Sequence, residues 1–382
     1  MKKVMLIGLA LLLLGSGLFA DDAKVMPGRV GRFYLAPVFA FVPGAFDSDG
    51  TYHSFGAHAS VFNLGLALEF GVIDWITAAV QWAPGWTSSS NLQVLTAGAL
   101  PFMPTNMNDV ADLLVGAKIQ IIGENAPVKA KAVRFALTPG VSIPLPGQDY
   151  EKEVEKIADN TAILMGAPGD LVGITVKNMD RHVLGVGGRV YFDWVISDKF
   201  FLNLYNETFI YPVKKDLAND GIDFAAIKGR IKQEAFLAAG AAGVAMVQPL
   251  LDDFTGEVNY KYKLTFEMEP VFTTPLSEGT SLTVGLPITY VFNPAAEYSF
   301  SGLAPLVAGA QMLDPTITEN DFIGGFVGKA SHSLSVKPYL SFFVTKGLLP
   351  IEVKAQYSIP VWGMDTQANH QLICQVKAYF KI

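Results

Sequence analysis

The charged residues of this chain recur at even steps inside otherwise apolar segments. Lys261, Lys263, Glu267 and Glu269 do so within KYKLTFEME, and Arg189 and Asp193 within RVYFD. Glu69, Lys118, Arg134, Glu207, Lys337, Glu352, Lys354 and Lys377 stand in the same way between apolar neighbours. A charge on alternate positions is what a strand with one wet face and one greasy face presents. Charges of both signs on one such face can pair across strands and fill a narrow interior, or form a constriction that selects solutes by charge. His58 and Ser60 are two apart and share a strand face, so a base and a nucleophile could stand together. That face also carries Phe62, Leu64 and Leu66, whereas Asn63 points the other way and no third group is placed to orient the histidine. One cysteine, Cys374, excludes an intrachain disulfide and a cysteine metal cage. Gly185-Val186-Gly187-Gly188 lies inside a strand pattern with no helix after it, which excludes a dinucleotide loop. No phosphate-loop motif or metal-spaced histidine cluster occurs, and no cofactor is expected.

The elements that must carry these residues are long strands. Leu372, Cys374, Val376, Ala378, Phe380 and Ile382 alternate with Gln371, Gln375, Lys377, Tyr379 and Lys381, with Ile373 as the apolar intruder. Ile351 to Val361, Leu334 to Val344 and Val258 to Met268 repeat the pattern. The alternation predicts strands near 31–42, 58–71, 75–86, 110–123, 132–145, 182–196, 199–213, 258–271, 280–293, 331–345, 350–363 and 368–382. Short connections alternate with long ones, which is the rhythm of an up-and-down transmembrane β-barrel of 12 to 14 strands, with short periplasmic turns and long extracellular loops. Composition agrees: the chain is 51% hydrophobic and only 16% charged, against about 25% in ordinary soluble domains. No stretch is long enough for a membrane helix, so a closed barrel is the spanning structure left. Tyr34, Trp75, Trp86, Trp194, Tyr211, Trp362 and Tyr379 are expected at the interfacial girdles. Residues 1–20, MKKVMLIGLALLLLGSGLFA, read as a secretory signal peptide, leaving 21–382 as one barrel domain. A net charge of −7 without a basic patch excludes nucleic acid as a partner.

Three segments, LALEFGVIDWITAAVQWAPGW (66–86), DLLVGAKIQIIG (112–123) and FALTPGVSIPLPGQD (135–149), resemble outer-membrane barrels of the family named for the MetA pathway of phenol degradation. RVYFDWVISDKFFLNLYNETF (189–209) is in the same style. The resemblance rests on turn chemistry: a strand ending in Phe-Gly, a tight turn containing Asp, and a returning strand. It implies a channel in the cell outer membrane for small, often aromatic or apolar, compounds. The fatty-acid uptake barrels are a more distant likeness and carry an N-terminal hatch. Here about ten residues precede the first strand, so no such hatch is expected. The expected partners are outer-membrane lipid, a small-molecule permeant and the secretion and barrel-assembly machinery. A structural or adhesive barrel with a plugged lumen is the alternative. A second is a lipid-acting enzyme, because His58-x-Ser60 resembles the arrangement in outer-membrane phospholipases.

The loop 214–257 is the best candidate for an element that closes the lumen. Its stretch 224–247 reads as one or two helices ending before Pro249, and Phe236, Leu237, Val244, Met246 and Val247 are candidate gate residues. A further helix is expected at 149–165 and an apolar segment at 303–313. These helices either pack on one another as a cap or line an entrance for hydrophobic solutes.

Overall fold

The computed structural model of the chain describes residues 22–90, 107–145, 181–216, 235, 239–312, 315–316, 318–319, 328–347 and 349–381. The signal segment, the helix expected at 149–165 and the gate candidates Phe236 and Leu237 lie outside these residues.

Twelve antiparallel strands close into a barrel. They are β1 (Val30–Phe46), β2 (Tyr52–Ile73), β3 (Ile76–Ser90), β4 (Met107–Val110 and Leu113–Gly123), β5 (Val133–Ile143) and β6 (Gly185–Val195). They continue as β7 (Phe200–Ile210), β8 (Tyr262–Ser277), β9 (Thr280–Gly285 and Ile288–Asn293), β10 (Ser331–Val336 and Tyr339–Val344), β11 (Ile351–Met364) and β12 (His370–Lys381). Each strand pairs with the next, and β12 returns to β1, with Val30 opposite Lys381 and Phe41 opposite His370. Closure leaves no strand edge, as a hydrocarbon surround requires. β9 and β10 are each interrupted at a proline, which has no N–H to give to the ladder. Their carbonyls still accept: Lys337 N–H donates to Pro287 at 2.8 Å and Tyr357 N–H to Pro338 at 3.0 Å.

The alternation sorts the faces. Phe33, Leu35 and Phe39 of β1, Val353 and Val361 of β11, and Leu372 and Val376 of β12 are exposed on the outside. Glu69, Lys118, Asp193, Glu207, Glu267, Glu269, Lys337 and Lys354 are buried inside. Trp86, Trp194 and Trp362 lie outward as a girdle requires, but Tyr34 and Tyr379 do not. They share strand parity with Arg32 and Lys377 and face the lumen, where Tyr379 donates to Glu352 at 2.9 Å. Tyr211 leaves the girdle too, packing on Tyr260 with ring centroids 6.4 Å apart.

Beyond the extracellular rim sits a small cap. A three-stranded sheet of Lys215–Asp216, Thr255–Asn259 and Glu297–Ser301 packs with helix α1 (239–252) and helix α2 (Leu303–Gln311). Val183, Val247, Leu251, Phe254, Val258, Tyr260, Leu303 and Leu306 form its core. The strand expected from 258 therefore splits. Lys261 adopts φ 60°, and this turn hands Val258 and Tyr260 to the cap before β8 begins at Tyr262. α1 also runs past Pro249 to 252. The lost hydrogen bond is offset by Leu251, which is almost fully buried in the cap core.

Candidate functional site

The lumen is lined by paired charges. Arg32 bonds Glu69 at 2.6 Å, and its guanidinium lies 4.6 Å from the Tyr34 ring. Arg189 bonds Glu207 at 2.6 Å and donates to Gln81 at 2.8 Å, while Tyr205 donates to the same Glu207 at 2.8 Å. Asn203 donates to Glu269 at 2.8 Å. Glu267 accepts from Thr289 and faces Lys337 at 3.8 Å. Lys377 meets Glu352 at 3.0 Å, and the Lys354 ammonium sits 3.8 Å from the Tyr339 ring centre. Buried pairs of this kind add little net stability, but removing one partner costs about 3–5 kcal/mol because it strands the other charge. Lys263 is half-buried at the extracellular end of β8. Lys261, expected in the lumen, instead reaches outward from the cap hinge to Glu297 at 2.9 Å. The same turn that redirects the chain takes its side chain out of the barrel.

A segment not expected from the sequence enters the periplasmic half of this lumen. Residues 22–28 run inside the barrel wall without regular structure, and their backbone bonds go to lumenal side chains. Ala23 is fully buried against Ala136, Tyr191 and Tyr205. Its N–H donates to both Asp193 carboxylate oxygens, at 3.0 and 3.1 Å, and Asp193 is also held by Arg134 at 3.3 Å. Gln120 donates to Ala23 O at 2.9 Å. Lys118 donates to Asp22 O at 2.8 Å and to Lys24 O at 3.4 Å. Met26 N–H donates to Thr77 Oγ1 at 2.8 Å, and Gly28 N–H to Asp74 at 2.9 Å. The segment lies directly on β2 at Gly71, where a Cβ would come within 2.0 Å of Pro27 O. Only glycine admits that approach. Between the segment and the wall of β3 to β6 remains a cavity of about 40 Å³, lined among others by Met26, Ala79, Leu114, Gly116, Gly140 and Phe209.

The extracellular half of the lumen is different. Ala36, Val38, Ala40 and Val42 of β1 are buried inside, and Val38 clusters with Ala83 and Ile373. Around them, Asn63, Thr87, Gln356 and Gln375 carry buried polar atoms without hydrogen-bond partners. The sequence shows no sign of this zone except Ile373, because β1 is apolar on both faces from Leu35 to Val42 and so lacks there the alternation that marks the other strands.

The cap is fastened to the rim through Arg181. Its buried guanidinium stacks on Tyr211 at 4.3 Å and Tyr260 at 5.2 Å and donates to Asn293 of β9 at 2.9 Å. Among the gate candidates, Val247 is buried in the cap core, Val244 is half-buried and Met246 is 54% exposed. Ser60 pairs in register with Phe41 and Ser90.

No family model and no curated protein matches the sequence. Solved structures do resemble the fold. The COG4313 outer membrane channel from Pseudomonas putida F1 superposes with a TM-score of 0.55 at 12% identity, over 95% of this chain and 100% of that one. The P. putida toluene transporter TodX aligns over 96% of this chain and 93% of its own, at 10% identity and a TM-score of 0.37. The β-domain of the Bordetella autotransporter BrkA aligns over 92% of this chain and 100% of its own, at 8% identity and a TM-score of 0.39. The fold is thus that of an outer-membrane β-barrel, shared most clearly with the first of these.

Proposed function

We propose that this protein is an outer-membrane channel for passive entry of small apolar, often aromatic, solutes, exported by way of its N-terminal signal segment. The observation that carries the reading is the division of the lumen. The extracellular half offers an apolar strip on β1, bordered by uncharged polar side chains, and the periplasmic half is closed by a short segment that is held by side chains and belongs to no strand or helix. The remaining cavity of about 40 Å³ is well below the ~150 Å³ that houses benzene. Passage therefore requires residues 22–28 to move. Their attachments are individual hydrogen bonds, each with a net value of about 1 kcal/mol, or up to about 3 where a charge takes part, so displacement is within reach of solute binding. The paired charges of the wall hold the barrel open as a cylinder and disfavour permanently charged solutes.

The test is protein-dependent entry of an apolar fluorescent tracer into intact cells carrying or lacking the protein. The reading expects faster entry with the protein and is overturned by equal rates. A barrel sealed as a structural or adhesive element is the second reading, favoured by the pairing of the lumenal charges. It predicts no steady openings in planar bilayers under any solute. A lipid-acting enzyme would require Ser60: loss of phospholipid release in Ser60→Ala would establish it, and no release from the unaltered protein rejects it.

A further inference from the structure

The wall reads the first residues of the N-terminal segment through their main chain. Asp193 accepts the Ala23 N–H, Gln120 donates to Ala23 O, and Lys118 donates to Asp22 O and Lys24 O. The register of the strands builds this seat. Gln120 of β4 stands opposite Ala136 of β5, Ala136 opposite Tyr191 of β6, and Tyr191 opposite Tyr205 of β7. Two residues nearer the periplasm, Arg134 stands opposite Asp193. Ala23 packs on Ala136, Tyr191 and Tyr205, and all four are buried. The place for its side chain is therefore the size of a methyl group. The next side chain is unconfined: that of Lys24 is 54% exposed, with its ammonium 5.3 Å from the Phe201 ring centre.

Two of these wall groups offer more than an amide chain takes. A carboxylate has about four acceptor sites on its two oxygens. The Ala23 N–H is a single donor shared between both Asp193 oxygens, at 3.0 and 3.1 Å. An ammonium at the position of that nitrogen gives each oxygen a hydrogen bond of its own and adds a charge. Lys118 brings a full positive charge to two neutral carbonyl oxygens, at 2.8 and 3.4 Å. A carboxylate at the position of the Lys24 carbonyl is the stronger acceptor, because a hydrogen bond between two charged groups is about twice as strong as one between neutral groups. From the Ala23 nitrogen to the Lys24 carbonyl, the seat is one dipeptide long. Its charges are placed as the two ends of a free dipeptide require: acidic at the amino end, basic at the carboxyl end, with an amide donor for the peptide carbonyl between them.

We infer that Asp193, Gln120 and Lys118 form a binding site for a free dipeptide with a small first residue, and that the protein's own Ala23 and Lys24 occupy it as a resident competitor. The ligand sets its α-ammonium on Asp193, its peptide carbonyl on Gln120 and its α-carboxylate on Lys118, with the first side chain against Ala136. It enters when residues 22–24 lift from the wall, so its apparent affinity is its intrinsic affinity reduced by the fraction of protein in which they are lifted. As a zwitterion it adds no net charge to a lumen of paired charges. This goes beyond the channel reading and does not rest on it.

The experiment titrates alanylalanine, acetyl-alanylalanine and phenylalanylalanine into the mature full-length protein in detergent, by calorimetry. Saturable binding of alanylalanine is expected. The acetylated form, which lacks the ammonium, binds at least about tenfold more weakly. Phenylalanylalanine, whose first side chain overfills the place of the Ala23 methyl, is weaker by about tenfold. Thr77→Val removes the attachment of Met26 and leaves the seat complete, so alanylalanine binds about fivefold tighter to that variant. A second readout locates the ligand. In a Cys374→Ser background, the thiol introduced by Ala23→Cys is buried, and saturating alanylalanine accelerates its labelling by a maleimide about tenfold. Absence of binding to both the unaltered and the Thr77→Val protein, equal binding of the three ligands, or binding that leaves the labelling rate of a folded Ala23→Cys protein unchanged overturns the inference. Should Ala23→Cys fail to fold, the three titrations and the Thr77→Val comparison decide alone. Tracer entry without dipeptide binding refutes the seat and leaves the channel standing. Dipeptide binding without protein-dependent tracer entry refutes the channel and leaves the seat.

Discussion

Asp193 is where the N-terminal segment is held most tightly. Its carboxylate accepts the Ala23 N–H twice and is held by Arg134, so one side chain joins the segment to β5 and β6. Replacing it with alanine removes the acceptors and leaves the partly buried Arg134 guanidinium without its carboxylate, at a cost of about 3 kcal/mol or less to the closed arrangement. Asp193→Ala is expected to raise single-channel conductance severalfold over the unaltered protein, with Asp193→Asn intermediate because it keeps one acceptor oxygen. Conductance unchanged in Asp193→Ala would show that the segment does not limit flow. The charge itself is legible in the sequence, since Asp193 shares a strand face with Tyr191 and Arg189 and alternates with Phe192 and Trp194. Its partner is not. Residues 22–28 carry no periodicity, and their length argues against a domain-sized hatch. What the sequence cannot express is that a lumen already crowded by side chains needs only a few residues of backbone to close it.

Among the elements, strands were readable and their junctions were not. A two-residue period imposed by lipid on one side and paired charge on the other survives in the sequence of β2, β8, β11 and β12. It fails in β1, whose inner face is apolar from Ala36 to Val42, and at Lys261, where one left-handed residue redirects the chain from the cap into β8. The α1 helix is visible as an apolar run, but its passage through Pro249 depends on the packing of Leu251 in the cap. That cap is joined to the barrel by the stacking of Arg181 against two tyrosines that also touch each other, an arrangement made by residues far apart in sequence. A desolvated cation–π contact is worth about 2 kcal/mol. Arg181→Ala should therefore loosen the cap alone. Limited proteolysis is expected to cut between 212 and 257 at least tenfold faster, while the barrel keeps the gel mobility of the folded form without heating. Unchanged cleavage would show that the cap is held elsewhere.

As a whole, the molecule is a sealed cylinder whose greasy exterior suits lipid and whose lumen is lined by internal ion pairs and obstructed by its own N-terminal residues 22–28. Closure of β12 on β1 makes the wall rigid, so opening falls to the piece that is outside the ladder. The most direct measurement locks that piece. In a Cys374→Ser background, Ala23→Cys and Ala136→Cys place two thiols within the same buried cluster, where oxidation ties the segment to β5. Conductance across a planar bilayer in the presence of ethylbenzene is then recorded before and after reduction. The account predicts that the oxidised protein stays at its lowest conductance and that reductant restores solute-dependent openings. Equal openings in the oxidised and reduced protein would contradict it.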